Sequence, residues 1–136
     1  MTADARGRHP EVFTYPEFTS REANHYREQG YVHLGRTLTA EGLQQVRDQV
    51  MQAWTAEKGA FDPQGTWLHN ALLPDIHHLS DLVRTYYFNG PMVAIAEQLI
   101  GPNIKAVTSQ LTFKMRGHTM PFAWHQANVY GELNPY

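Results

Sequence analysis

Ile104-Lys105-Ala106-Val107-Thr108-Ser109-Gln110-Leu111-Thr112-Phe113-Lys114-Met115 is the stretch on which the fold turns. Val107, Leu111, Phe113 and Met115 fall on one parity, and Thr108, Gln110, Thr112 and Lys114 on the other. Successive side chains of a strand point to opposite faces, so this period of two predicts a strand with one apolar and one polar face. A polar face of Gln110, Thr112 and Lys114 suits either water or the interior of a barrel. In the interior, Lys114 or Gln110 would meet an acidic ligand, because a buried ammonium needs such a partner. Spacing leaves both readings open.

Working outward towards higher numbers, Gly117-His118-Thr119-Met120-Pro121 reads as a turn region. Phe122 to Tyr130 then reads as a second strand, with Trp124 and Gln126 opposite His125 and Ala127. A lone histidine on a strand is more often structural than a metal ligand, since one imidazole does not hold a metal. The same discount covers His33, His69, His118 and the pair His77-His78.

In the other direction the periodicity changes to helical. Thr19 and Glu22 have the spacing of a capping box, which predicts a helix from about Ser20 to Gln29 that Gly30 stops. Tyr31-Val32-His33-Leu34 is a short β-rich run. Thr39 caps a longer helix with Leu43, Val46, Val50 and Trp54 at helical spacing. Residues 57 to 78, with Gly59, Pro63 and Gly65, read as mostly irregular. Ser80 caps a helix through Phe88, Asn89-Gly90-Pro91 breaks it, and Pro91 opens another helix at the position where proline is tolerated. Val93, Ala96, Leu99 and Ile100 are its expected buried stripe, with Gly101 at its end. The run Tyr86-Tyr87-Phe88 reads as core, or alternatively as a surface for a partner. Helices first and strands last is an α+β order.

Composition narrows the function. The chain has 136 residues, enough for one domain, with residues 1-12 expected as a flexible arm and 13-136 as domain. Eleven Lys and Arg against thirteen Asp and Glu leave a net charge of −2, without the basic excess that tracks nucleic acid or anionic lipid. No run approaches the roughly 18 apolar residues of a membrane helix, and the first residues lack the pattern of a signal peptide, so the expected location is cytoplasmic. With no cysteine and eight histidines, any metal would be held by imidazole and carboxylate.

Phe122-Ala123-Trp124-His125-Gln126-Ala127-Asn128-Val129-Tyr130 closely resembles the Trp-His-Gln-Asp stretch of the phytanoyl-CoA dioxygenase family. Weaker matches follow in the same order along the chain from Phe18: the helix before Gly30-Tyr31-Val32, the Leu38-Thr39-Ala40-Glu41-Gly42-Leu43 helix opening, Leu99-Ile100-Gly101-Pro102, and Phe113-Lys114. The resemblance implies helices packed on a double-stranded β-helix, a jelly-roll barrel, of which this chain would cover the N-terminal half. It implies an oxidoreductase using iron(II) and 2-oxoglutarate on an unactivated C–H bond of a small molecule, carrier- or CoA-bound substrates included.

Iron in that family sits on two histidines and one carboxylate. In a His-x-Asp pair on a strand, both side chains point to the same side and grip one face of the metal. His125 matches the first metal ligand, while Ala127 stands where the carboxylate belongs, and Glu132 is too far along the chain to replace it. The distal histidine and the arginine for 2-oxoglutarate have no counterparts. Gln110 and Lys114 fall where relatives bring polar groups towards 2-oxoglutarate. His125-Gln126-Ala127 also resembles the His-x-Ala of non-haem iron halogenases, in which chloride fills the place vacated by the carboxylate. The alternatives are a hydroxylase with a disabling change, or a non-catalytic binding or scaffold module. A half-barrel exposes sheet edges and apolar faces, so inactivity or self-association with another copy is expected.

Overall fold

In the computed structural model, residues 8–59, 62, 64–65, 70–113 and 124 are described. Along these the order is α1 (Ser20–Gln29), α2 (Ala40–Lys58), β1 (Leu72–Pro74), a 3-10 turn (Ile76–His78), α3 (Asp81–Asn89), α4 (Pro91–Ile100) and β2 (Gln110–Thr112).

The helix ends follow from local chemistry. At α1 the Thr19 hydroxyl accepts from the Arg21 N–H at 3.2 Å, and the Glu22 carboxylate accepts from the Thr19 N–H at 3.0 Å. Gly30 then takes the left-handed conformation at φ 78°, where a side chain would be strained. Thr39 caps α2 through Gly42 N–H at 2.9 Å, and Ser80 caps α3 through Val83 N–H at 3.1 Å. Pro91 begins α4, where its missing N–H costs no intrahelical bond.

Two apolar clusters meet along α2. Val50, Ala53, Leu73 and Ile76 form one, against which Trp54, Val83 and Leu111 pack. Val12, Phe13 and Leu82 form the other, flanked by Tyr15, Leu38 and Tyr86. Val46 touches both clusters and joins them into one core. Phe13 and Tyr86 meet edge to face, with ring centroids 5.5 Å apart.

Several expectations change. Residues 1-12 are not all a free arm, because Val12 is 1% exposed and its carbonyl accepts the Thr39 N–H at 3.0 Å. The run Tyr31-Val32-His33-Leu34 is not a strand. The nearby pairing is instead a single antiparallel bridge, Phe13 to Leu38, flanked by Thr14 N–H to Thr37 O at 3.1 Å. Burying Val12 and Phe13 outweighs β-propensity in a tetrad that buries none of its residues fully. Within 57 to 78 the described residues include the end of α2, β1 and the 3-10 turn, which the reading of this stretch as mostly irregular did not foresee.

In α4 the fully buried residues are Pro91 and Ile95, while Ile100 is 71% exposed. The apolar stripe therefore centres on Ile95, with Val93, Ala96 and Leu99 half-buried beside it. Within residues 104–113 the strand is shorter than the periodicity suggests, because β2 spans Gln110–Thr112 and Val107 is exposed, while Lys114 and Met115 lie outside the described residues.

The two strands pair antiparallel in the register Leu72 to Thr112, Leu73 to Leu111 and Pro74 to Gln110. Phe113 N–H donates to Ala71 O at 2.8 Å and Asp75 N–H to Ser109 O at 2.6 Å. Ladder bonds therefore fall on the odd-numbered pairs. Pro74 sits opposite Gln110 at an even position whose amide faces away from the partner, so its missing N–H costs the ladder nothing.

Candidate functional site

Gln110 is the one described residue of the expected cosubstrate pair. It opens β2 with its side chain exposed, as does Thr112, while Leu111 between them turns onto the Val50–Leu73 cluster. The alternation of a polar and an apolar face is thus present at these three positions. Behind them Trp54 and Phe113 meet edge to face at 4.5 Å and fix the apolar side of the strand against α2. Lys114, His125, Ala127 and Glu132 lie outside the described residues, as do His69 and His118. Trp124, next to the histidine, is fully exposed.

The remaining histidines separate cleanly. His33 is exposed and, with Arg21, His25, Glu28 and Tyr31, lines an open hollow on the flank of α1. His9 packs edge on against Phe13 at 6.1 Å, and its Nδ1 is 3.7 Å from a Glu11 carboxylate oxygen. Among the described residues no three His, Asp or Glu side chains come together in a way that would hold a metal ion.

His77 is the exception to the exposed pattern. It is 8% exposed, its ring lies 4.9 Å from that of Tyr87 and 4.0 Å from that of His78, and its Nδ1 is 2.6 Å from Ser109 Oγ. The same hydroxyl accepts the His77 backbone N–H at 3.2 Å. Because Ser109 Oγ already accepts that N–H, its own hydrogen is free to go to Nδ1, which satisfies both groups. The sequence offered no local signal for this contact, since the partners are 32 residues apart and the pair His77-His78 has the look of a surface dipeptide.

Of the aromatic run, Tyr86 and Tyr87 are half-buried and engaged. The Tyr86 hydroxyl is 2.9 Å from Thr37 Oγ1, and the Tyr87 hydroxyl donates to Thr108 O at 2.7 Å. Phe88 is 43% exposed beneath the Arg84 guanidinium, 5.6 Å from its centroid. Tyr86 therefore packs against the core, Tyr87 is half-buried against His77, and Phe88 is the most exposed of the three.

Among the described residues one titratable group is clearly shifted by its surroundings. The Glu22 carboxyl is held below its ordinary value, first by the Thr19 hydroxyl and then by the Thr19 backbone N–H. Its role is to cap α1.

Among the described residues no helix is long and apolar enough to cross a membrane. No family model, curated protein or solved structure matches the chain.

Proposed function

We propose that this chain is the N-terminal part of a phytanoyl-CoA-dioxygenase-like domain, an α+β unit whose helices pack on a jelly-roll barrel. Its chemistry would be iron(II)- and 2-oxoglutarate-dependent oxidation of an unactivated C–H bond, with chloride as a third component in the halogenating form. The observation that carries the reading is the motif Trp124-His125-Gln126-Ala127, placed shortly after a strand that exposes Gln110 and Thr112 on one side and turns Leu111 inward on the other. Two further features support it. The helices before that strand are capped where the family-like segments begin and end, at Thr39 and Gly101. Among the described residues β2 has β1 as its one neighbour, as a strand would if a larger sheet were to extend it.

His125 is a competent iron ligand and Ala127 is not. One imidazole does not hold iron, so the donor set of these residues does not fit a complete iron centre. Two more donors would have to come from outside the set, or one more with chloride in the place beside Ala127. In that arrangement Gln110 and Lys114 would bind and orient the cosubstrate, and Ala127 would act by leaving room.

The test is anaerobic titration of the chain with iron(II) and 2-oxoglutarate, with and without chloride, following the visible charge-transfer band. A band that appears only with chloride would support the halogenating site and would require a further donor from outside these residues. Absence of a band under both conditions, with Ala127→Asp silent as well, would sink the oxygenase reading in favour of a non-catalytic binding module.

A further inference from the structure

Resting on that reading, we infer that His77 and Tyr87 are positioning residues that fix the register at which Gln110 enters β2. Neither touches the candidate cosubstrate face. Both grip the two residues immediately before Gln110, and they do so from a different part of the chain.

The grip has three independent points. Asp75 N–H donates to Ser109 O at 2.6 Å, closing the ladder one residue beyond the Pro74–Gln110 pair. His77 then takes the Ser109 hydroxyl between its backbone N–H at 3.2 Å and its Nδ1 at 2.6 Å. Finally, Tyr87 reaches across from α3 to place its hydroxyl 2.7 Å from Thr108 O. The His77 ring lies against Tyr87, so the second and third points support each other.

Asp75 makes the approach geometrically feasible. Its φ of 53° and ψ of 35° turn the chain sharply out of β1 and directly into the 3-10 turn, which brings His77 back over Ser109. Aspartate is among the residues that take this left-handed conformation at least cost.

Register matters here because a slip of one residue sends every side chain of a strand to the other face. β1 and β2 pair over three residues each, and so short a ladder does not hold its own register firmly. The residues before β2 supply little help, since Asn103 to Thr108 are exposed and form no regular element. Without the clamp on Thr108 and Ser109, the polar and apolar faces of Gln110, Leu111 and Thr112 would be free to exchange. Gln110 would then turn to the side now held by Leu111.

Two measurements on the full 136-residue chain test this. The first is hydrogen exchange of the Asp75, His77 and Phe113 amides, with those of Ala23 and Leu43 as helical references. His77→Ala and Ser109→Ala should each accelerate these three amides by about fivefold to tenfold, the factor for losing one hydrogen bond in a locally opening segment. The references should stay unchanged, and the double variant should be no faster than either single. Tyr87→Phe should keep the ring contact, lose the bond to Thr108 and give a smaller increase. Acceleration of all five amides alike, or of none, would overturn the inference.

The second is 2-oxoglutarate affinity. Where the wild-type chain binds it, His77→Ala and Ser109→Ala should weaken binding about as much as Gln110→Ala does, and leave iron affinity alone. Weakening by Gln110→Ala without weakening by the clamp variants overturns the positioning role. A wild-type chain that binds no 2-oxoglutarate defeats the oxygenase reading instead, and the exchange data alone then decide whether the clamp sets the register.

Discussion

α1 and α3 are close to equal in length, and each begins with a hydroxyl cap, yet they stand in the molecule in different ways. α1 buries Ala23 and turns Tyr26 to the outside. α3 buries Leu82, binds Gln49 of α2 through Ser80, packs the Tyr87 ring on His77 of the 3-10 turn and bonds its hydroxyl to Thr108, and reaches Thr37 through Tyr86. Capping decides where a helix starts. Whether the helix belongs to the core depends on partners far away in the sequence, and most helical stability in a folded chain comes from such packing.

The sharpest way to expose this difference is to remove one buried side chain from each helix. Leu82→Ala empties a site 2% exposed between Val12 and Phe13 and should cost about 2–5 kcal/mol, seen as a lower denaturation midpoint for the whole domain. Ala23→Gly in α1 should cost about 1 kcal/mol through helix propensity, confined to the exchange of α1 amides. Equal and global losses from both substitutions would mean that α1 is as much a part of the core as α3.

A second break lies where α2 begins. Gly42 packs against the backbone of Val12, and a Cβ at that position would run into the Val12 carbonyl. Because the obstacle is backbone and not a flexible side chain, Gly42→Ala should cost about 1–3 kcal/mol as an overpacked contact. It should also loosen the Thr39 N–H bond to Val12 O before α3 is affected. Unchanged exchange at Thr39 in the folded variant would contradict this.

How much of this was readable in the sequence follows the same division. Thr19, Thr39, Ser80, Gly30, Gly90 and Gly101 act on residues within four positions of themselves, so the starts of α1 to α4 and the ends of α1, α3 and α4 were legible to within a residue or so, while α2 runs to Lys58, past the point where a loop was expected. Leu111 between Gln110 and Thr112 was legible for a like reason, since alternation is local. β1 was not. Leu72 to Pro74 carries a proline and too few residues for a period, and becomes a strand only by meeting Gln110 to Thr112 nearly forty positions away. The opposite error at Tyr31 to Leu34 has the same origin, because a β-rich tetrad without a partner strand forms no strand. Gln110 was legible as an exposed residue on the polar side of β2, whereas the contact of His77 with Ser109, 32 positions away, left no local signal.

A smaller test compares the caps. Ser80 Oγ donates to Gln49 Oε1 at 2.7 Å while accepting the Val83 N–H, and Gln49 Oε1 also accepts the Leu82 N–H at 3.3 Å. Ser80→Ala therefore removes a cap and an interhelical bond together and should cost about 1–2 kcal/mol. Thr19→Ala removes a cap and the hydroxyl's bond to Glu22 within the same helix, in an exposed setting and with no interhelical bond, and should cost about 0.5–1 kcal/mol. Reversal of that order, measured by urea midpoints, would show that the link to Gln49 contributes nothing.

The smallest effect concerns acid. Glu22 is held below its ordinary value in the folded chain by the Thr19 hydroxyl and N–H, so it is ionised in α1 at a pH where the unfolded chain would already be taking up a proton. A carboxylate shifted in that direction contributes stability above its unfolded value and loses it as pH falls through the folded one. The start of α1 should therefore loosen as pH drops below the ordinary glutamate range, read as faster exchange of the Ala23 amide, which bonds to Thr19 O. Glu22→Gln keeps a side chain able to accept the Thr19 N–H and removes the titration. In that variant the Ala23 amide should show a flatter acid dependence, with α3 amides unaffected in either chain. The same acid-driven loosening in both chains would assign the response to groups other than the capping box.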